Sequence, residues 1–226
     1  RLKEYGQANG ATLFMTLVAA GQVLLARYGG TRDVAVGTAT SGRDRPELER
    51  LVGAFINTVV LRSTVDDRLS FTAFLAQVRE TVLGALAHQD VPFDRLVDEL
   101  CQERDASRTP LVQAMIVLQN APAVETGGGF TGLRVERLAL PRPAAVFDLT
   151  LEFTERPDAL DVMIEYNTDL FDAETVERIS VHLRTLLGNL VAEPERPLGD
   201  VPMLDEAERR RLLVEWNGAA EVRRPG

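Results

Sequence analysis

Only two imidazoles occur in this chain, His88 and His182, and an imidazole is the side chain best suited to take and return a proton near neutral pH. His88 opens the stretch HQDVPFDRL, residues 88–96, at a surface position just ahead of a helix start. No acid is spaced to form a recognisable dyad with it, so the structural reading is preferred: the ring, or Gln89, fixes a joint between two helices by hydrogen bonds. His182 neighbours the apolar stripe of its helix without belonging to it and is expected on a solvated flank. Asn57 starts an apolar run after the tight turn at Gly53, and its amide, both donor and acceptor, either serves a site or bonds local backbone. Arg43 lies in a loop dense in charge, where a solvated cation is the usual state. Arg104, Asp105, Ser107 and Arg108 read as a capping and ion-pair cluster rather than as substrate ligands, with Pro110 stopping helix continuation. Asn167 and Asp169 follow the polar face of a hairpin; they either look into a site or turn the chain toward a cap at Asp172. The run Gly127, Gly128 and Gly129 lacks the Lys and Ser/Thr of a phosphate loop and reads as a flexible connection.

The elements that position these groups follow from periodicity. Leu13, Phe14, Leu17, Val18, Leu24, Leu25 and Tyr28 recur on one broad helical face, ended by Gly29 and Gly30. Residues 34–36 predict a short strand, followed by a Gly- and Arg-rich loop to Pro46 and a helical turn over 47–51. β-Branched residues over 57–65 predict a buried strand with Asn57, Val59, Leu61 and Ser63 on one face and Thr58, Val60 and Arg62 on the other. Ser70 is expected to cap a helix carrying Phe71, Phe74, Leu75, Val78, Val82 and Leu86, which delivers the chain to His88. Pro92 suits the first turn of a second helix over 92–100, containing Phe93 and capped by Asp90. Strands are expected over 113–118 and 133–140. A hairpin follows, in which Leu149, Leu151 and Phe153, then Leu160, Val162, Ile164 and Tyr166, alternate with polar residues around an Arg156-Pro157-Asp158 turn. Asp172 caps a long helix with Val176, Ile179, Leu183, Leu186, Leu187 and Leu190. Pro194, Pro197 and Pro202 then punctuate the way to a short charged helix over 206–215.

This mixture predicts an α/β protein, a two-layer sandwich of a mixed β-sheet with helices on one face. With 226 residues, 45% of them apolar and 26% charged, the chain is long enough to bury a real core. A net charge of −9 and a pI near 4.9 argue against a nucleic-acid surface, which needs a basic stripe. Cys101 is the only cysteine, which excludes an intrachain disulfide and a cysteine-based zinc site, makes a reducing compartment the default and points to the cytoplasm. Residues 13–26 form the most apolar run and fall short of the ~20 residues of a membrane span. No metal and no directly bound cofactor are indicated. The chain begins at Arg1 with a helical pattern already under way, and is expected to be a piece of something longer.

Four stretches, taken in order, carry a family resemblance: VGAFINTVVLR at 52–62, HQDVPFDRLVDEL at 88–100, RDASRTPL at 104–111 and YNTDLF at 166–171. With VAVGTATSGRDRPEL at 34–48 and the tail VPMLDEAERRRLLVEWNGAA at 201–220, they make almost the whole chain resemble the C-terminal half of the condensation domains of nonribosomal peptide synthetases. Each motif alone is weak, whereas the ordered set is specific; Ile56 and Thr109 depart from Val and Asn common in the family. The tail resembles a linker to an adenylation domain, which sets the expected boundaries at 1–193 for the lobe and 194–226 for the linker.

The resemblance implies a chloramphenicol-acetyltransferase-like lobe, two of which form a V with a reaction tunnel at their seam. It implies transfer of an aminoacyl or peptidyl group between phosphopantetheine arms of partner carrier domains. The family signature His-His-x-x-x-Asp-Gly does not occur here, since neither His88 nor His182 is preceded by His. It is expected in an upstream N-terminal lobe, so the isolated chain is expected to be inactive and to hold no catalytic residue. Asn57, Asn167 and Asp169 are then candidates to line the tunnel, and Arg43 to pair with the Asp of that signature. Expected partners are the upstream lobe, peptidyl carrier domains and a downstream adenylation domain, with no nucleic acid and no membrane. Three alternatives stay open: a non-catalytic docking module for carrier proteins, an epimerisation or cyclisation relative, and a free-standing small-molecule acyltransferase. GAFINT resembles the peptide-bond-forming members rather than an aromatic-rich epimerisation version.

Overall fold

The computed structural model describes residues 1–43, 45–48, 50–101, 105, 107–119 and 144–217. The expected strand at 133–140, the loop of Gly127 to Gly129, and Arg104 lie outside the described residues.

Helix α1 (Leu2–Ala8) leads into α2 (Leu13–Gly29), where Thr12 accepts from the Met15 amide and Gly30, in the left-handed region, ends the helix. Strands β1 (Asp33–Thr40) and β2 (Asn57–Thr64) flank a 3₁₀ turn at Pro46–Leu48, and α3 (Phe71–Leu86) and α4 (Phe93–Leu100) follow. Strand β3 (Ala114–Gln119), the hairpin β4 (Leu149–Glu155) and β5 (Leu160–Tyr166), and α5 (Ala173–Ala192) complete the lobe. Ser70 and Asp172 cap α3 and α5 by accepting from Ala73 and Thr175. The strands form one mixed sheet in the order β2-β1-β3-β4-β5. The two outer pairs are antiparallel, while β1/β3 and β3/β4 are parallel.

Strand β1 runs to Thr40, beyond the short strand expected from its residues. Pairing supplies the reason: Gly37 faces Val60 and Thr40 faces Asn57 in β2, while Gly37 also meets Met115 in β3. The strand therefore has neighbours on both edges, which satisfies backbone groups that a loop would leave to solvent.

The register decides the faces. Val34, Val36, Val59, Leu61, Ile116, Leu149, Leu151 and Phe153 share one face and are buried. Against them pack α2, buried almost all round, with Phe71, Phe74, Leu75 and Val78 of α3 and Leu183, Leu186 and Leu190 of α5. Gly21 lets α2 approach closely, since a Cβ there would sit 2.4 Å from Ile116 Cδ1. On the opposite face, at the β2 edge, Leu96 and Leu100 of α4 share a small cleft with Ala35, Val60 and Arg62. The chain thus rounds edge strand β2 between α3 and α4. Elsewhere that face presents Thr150 and Glu152 of β4 and Met163 and Glu165 of β5, a mixed surface.

Residues 194–203 pack into the lobe. Leu198 and Val201 are buried, Leu198 and Gly199 amides donate to the Leu69 and Asp67 carbonyls at 2.8 and 2.9 Å, and Arg27 donates to the Leu198 and Val201 carbonyls. Burial lowers the pKa of that guanidinium from its ordinary value, opposed by Asp67 and Asp200. The expected helix over 206–215 divides into α6 (Glu206–Arg210) and a wider π turn at Arg211–Glu215, where the Trp216 amide reaches back five residues to Arg211.

Candidate functional site

The motifs at 34–48, 52–62 and 88–100 converge at the open end of β2, and Asn57 is the point of contact. Its side-chain N–H groups donate to the carbonyls of Gln89 at 2.7 Å and Val91 at 2.8 Å, while its Oδ1 accepts from the Phe93 amide at 3.1 Å. Two carbonyls and one N–H fix which way the amide points. Asn57 therefore caps α4 from 36 positions away in sequence and holds the turn between α3 and α4 to the sheet edge.

This arrangement corrects the expected cap. Pro92, with extended backbone, occupies the N-cap position of α4 without a side-chain cap bond, and exposed Asp90 stands two residues too early to reach the first amides. His88 also differs in detail from a brace across the joint. Its Nδ1 meets the carbonyl of Gly84 at 2.9 Å, four residues back in α3, so it satisfies a carbonyl that the helix end leaves without an amide. The Gln89 contribution to the joint comes from its backbone carbonyl.

Arg43 organises the adjoining loop. Its guanidinium donates to the carbonyls of Leu48 and of Gly53, the latter at 3.3 Å, and lies 4.4 Å over the Phe55 ring. Gly42 beside it has φ +59°, and a Cβ there would stand 2.1 Å from the Phe55 carbonyl oxygen. Arg43, Phe55, Asn57 and the Gln89 to Phe93 turn form one connected cluster.

The other candidates stay outside that cluster. Asp105 accepts from the Ser107 amide and hydroxyl at 2.9 and 2.6 Å and from Arg108 Nε at 2.7 Å. Those bonds, Ser107 first, hold its carboxyl below the usual range. Leu111 just beyond has φ +62° in a tight turn where the Val112 amide meets the Pro110 carbonyl at 2.7 Å. Asn167 accepts from the Asp169 amide at 3.0 Å, and its backbone carbonyl accepts from Phe171. It builds the turn that leads to Asp172. It lies past the end of β5, four strand spacings from β2, or roughly 19 Å across the sheet, so Asn167 and Asp169 are not brought to the Asn57 cluster within this lobe.

His182 corrects its expectation outright. It is buried, at 5% relative exposure, with Nδ1 2.6 Å from the Tyr28 hydroxyl and Nε2 2.5 Å from Glu208. Periodicity missed it because the partners lie on α2 and α6, and no local pattern announces them.

A cleft of about 900 Å³ lies at the β5 edge between α5 and the first turn of α1, lined by Leu2, Leu160, Val162, Leu183 and Leu187. It contains none of the candidate residues. Among the described residues no group of three His, Cys, Asp or Glu side chains is placed to hold a metal ion. No single described helix is long and apolar enough to cross a membrane.

Comparison with known proteins agrees with this architecture. The family model described as "Condensation domain" matches residues 1–213. Chondramide synthase cmdD of Chondromyces crocatus is 42% identical over 97% of this chain and 6% of its own length. Tyrocidine synthase 3 of Brevibacillus parabrevis is 41% identical over 97% of this chain and 3% of its own. Among solved structures, a four-domain nonribosomal peptide synthetase bound to AMP and glycine superposes with a TM-score of 0.83 at 24% identity, covering 92% of this chain and 17% of that one. The X-domain from teicoplanin biosynthesis gives 0.77 at 27% identity, covering 90% of this chain and 46% of that one. The chain belongs to the condensation domain family, whose relatives here are nonribosomal peptide synthetases. It spans only a few per cent of those synthetases and a little under half of the X-domain chain.

Proposed function

We propose that the chain is the C-terminal lobe of a peptide-bond-forming condensation domain and works in the cytoplasm with an upstream lobe, two carrier domains and a downstream adenylation domain. In this reaction the amine on one phosphopantetheine arm attacks the thioester carbonyl carbon on the other. The C–N bond forms, the C–S bond breaks, and the proton lost by the amine ends on the departing thiolate. The observation that carries the reading is the Asn57 cluster in a chain matched along residues 1–213 by the condensation model. The polar groups with the best claim to chemistry there, Asn57 and His88, are engaged with backbone, so the lobe contributes wall and geometry while the proton-handling histidine belongs to the upstream half. Arg43 and Asn57 face the seam on this reading, with Asn167 and Asp169 at the far end of the sheet.

A complementation assay tests it. The chain mixed with two loaded carrier proteins should give no dipeptide, and adding the upstream half should restore product. Dipeptide from this lobe alone would overturn the assignment. A second reading, a docking module, is favoured by the likeness to the X-domain, a protein also solved in complex with OxyB at TM-score 0.80. Carrier binding without product after the upstream half is added would select it.

A further inference from the structure

Residues 204–217 form a tail of α6 and a π turn with Leu213, Val214 and Trp216 exposed. Among the described residues, its hydrogen bonds and ion pairs are internal except one: Glu208 to His182. That contact is sunk in the protein, with the imidazole 7% and the carboxylate 21% exposed as side chains, and continues from His182 to Tyr28 on α2. We propose that Tyr28, His182 and Glu208 act as a clasp that locks the tail helix in one orientation on the lobe and so sets the direction in which the chain leaves it. This role holds whatever chemistry the lobe serves.

The proton inventory supports a directed chain. Burial raises the Tyr28 phenol pKa, the Glu208 carboxylate adds to that rise and Arg178 opposes it, so the phenol keeps its proton and has one to offer His182 Nδ1, 2.6 Å away. With its hydrogen on Nε2 the imidazole accepts from Tyr28 at Nδ1 and donates to Glu208, and in that tautomer every polar atom of the Tyr28 and His182 side chains is used. Burial of the His182 ring strengthens its bonds relative to water and makes the imidazole expensive to leave unpaired. Upstream, the backbone is already held to Pro202, whose carbonyl accepts from Asn189 at 3.0 Å. The clasp therefore fixes the remaining freedom, rotation of the tail about residues 203–205.

The chain's single tryptophan, Trp216, sits in this tail and reports its motion. In the 226-residue chain, Glu208→Ala should at least double the fast component of the Trp216 anisotropy decay. It should also speed amide exchange over 206–217 by tenfold or more, with α2 and α5 amides unchanged. Alanine is the best helix former, so lost helix propensity does not account for the effect. Glu208→Gln keeps an acceptor for Nε2–H and should restore most of the protection. Tyr28→Phe, which leaves the tail's own side chains intact, should speed tail exchange by about threefold; no effect would remove Tyr28 from the clasp and overturn the three-member form. Unchanged anisotropy and exchange in Glu208→Ala would overturn the proposal altogether. So would an equal loss of protection in α2 and α5, which would make Glu208 part of the cooperative core.

Discussion

Asn57→Ala removes the side chain that ties the α3–α4 turn to the sheet edge, and its cost follows from the geometry. Three hydrogen bonds disappear, two donated to Gln89 and Val91 carbonyls and one accepted from Phe93. At about 0.5–1.5 kcal/mol net per bond the ceiling is about 4.5 kcal/mol. Val91 is exposed and Asn57 only half-buried, so water re-satisfies part of the loss and about 1–3 kcal/mol remains. For a domain of this length each kcal/mol moves the melting midpoint by roughly 2–4 °C. Urea unfolding of the wild-type and variant chains measures the difference, and hydrogen exchange at Phe93 localises it. Asn57→Asp adds a chemical check: its carboxylate still accepts from the α4 amide but presents negative charge to two carbonyls, so it should recover only part of the stability. A change below about 0.5 kcal/mol, with Phe93 exchange unaltered, would refute the view that Asn57 is the distal cap of α4.

Three further outcomes follow from the same contacts. His88→Asn keeps a donor for the Gly84 carbonyl and should change stability by less than about 0.5 kcal/mol; in a complete condensation domain it should retain most turnover, and a loss of about 10²-fold or more in a single-turnover assay would show a general base instead. Gly42→Ala should cost about 2 kcal/mol or more in urea unfolding, because alanine is strained at positive φ and its Cβ collides with the Phe55 backbone. Asp172 is held below the usual carboxylate range chiefly by the Thr175 amide, so its stabilisation is complete above its unfolded pKa of about 3.9 and is lost as pH falls through the lower folded value; Asp172→Asn, still a good cap, should flatten that acid limb in thermal melts from about pH 2 to 5 while leaving the neutral-pH midpoint nearly unchanged.

Local chemistry was enough to determine much of the lobe. The stripe of Phe71, Phe74, Leu75 and Val78 marks α3 because apolar residues three and four apart must share a helical face. Alternation around Arg156-Pro157-Asp158 marks the β4–β5 hairpin because successive side chains of a strand point to opposite faces. Ser70 and Asp172 declare their helix starts because a cap bonds amides two or three residues on. Ordered motifs were likewise legible as family membership. What only the tertiary structure decided involves partners distant in sequence. Asp90 had the right chemistry for a cap, yet Asn57 does the capping, because β2 brings its amide to the α4 amides while Asp90 sits outside reach. His182 looked solvated on its own helix, yet it is buried, because the tail folds back and delivers Glu208 to it as α2 delivers Tyr28. Thr38 and Thr40 belong to a strand because β2 pairs with that stretch of β1. Periodicity reports the environment of a residue averaged along its own element, whereas a hydrogen bond depends on where another element ends, and that is set by the packing of the whole sheet and its helices.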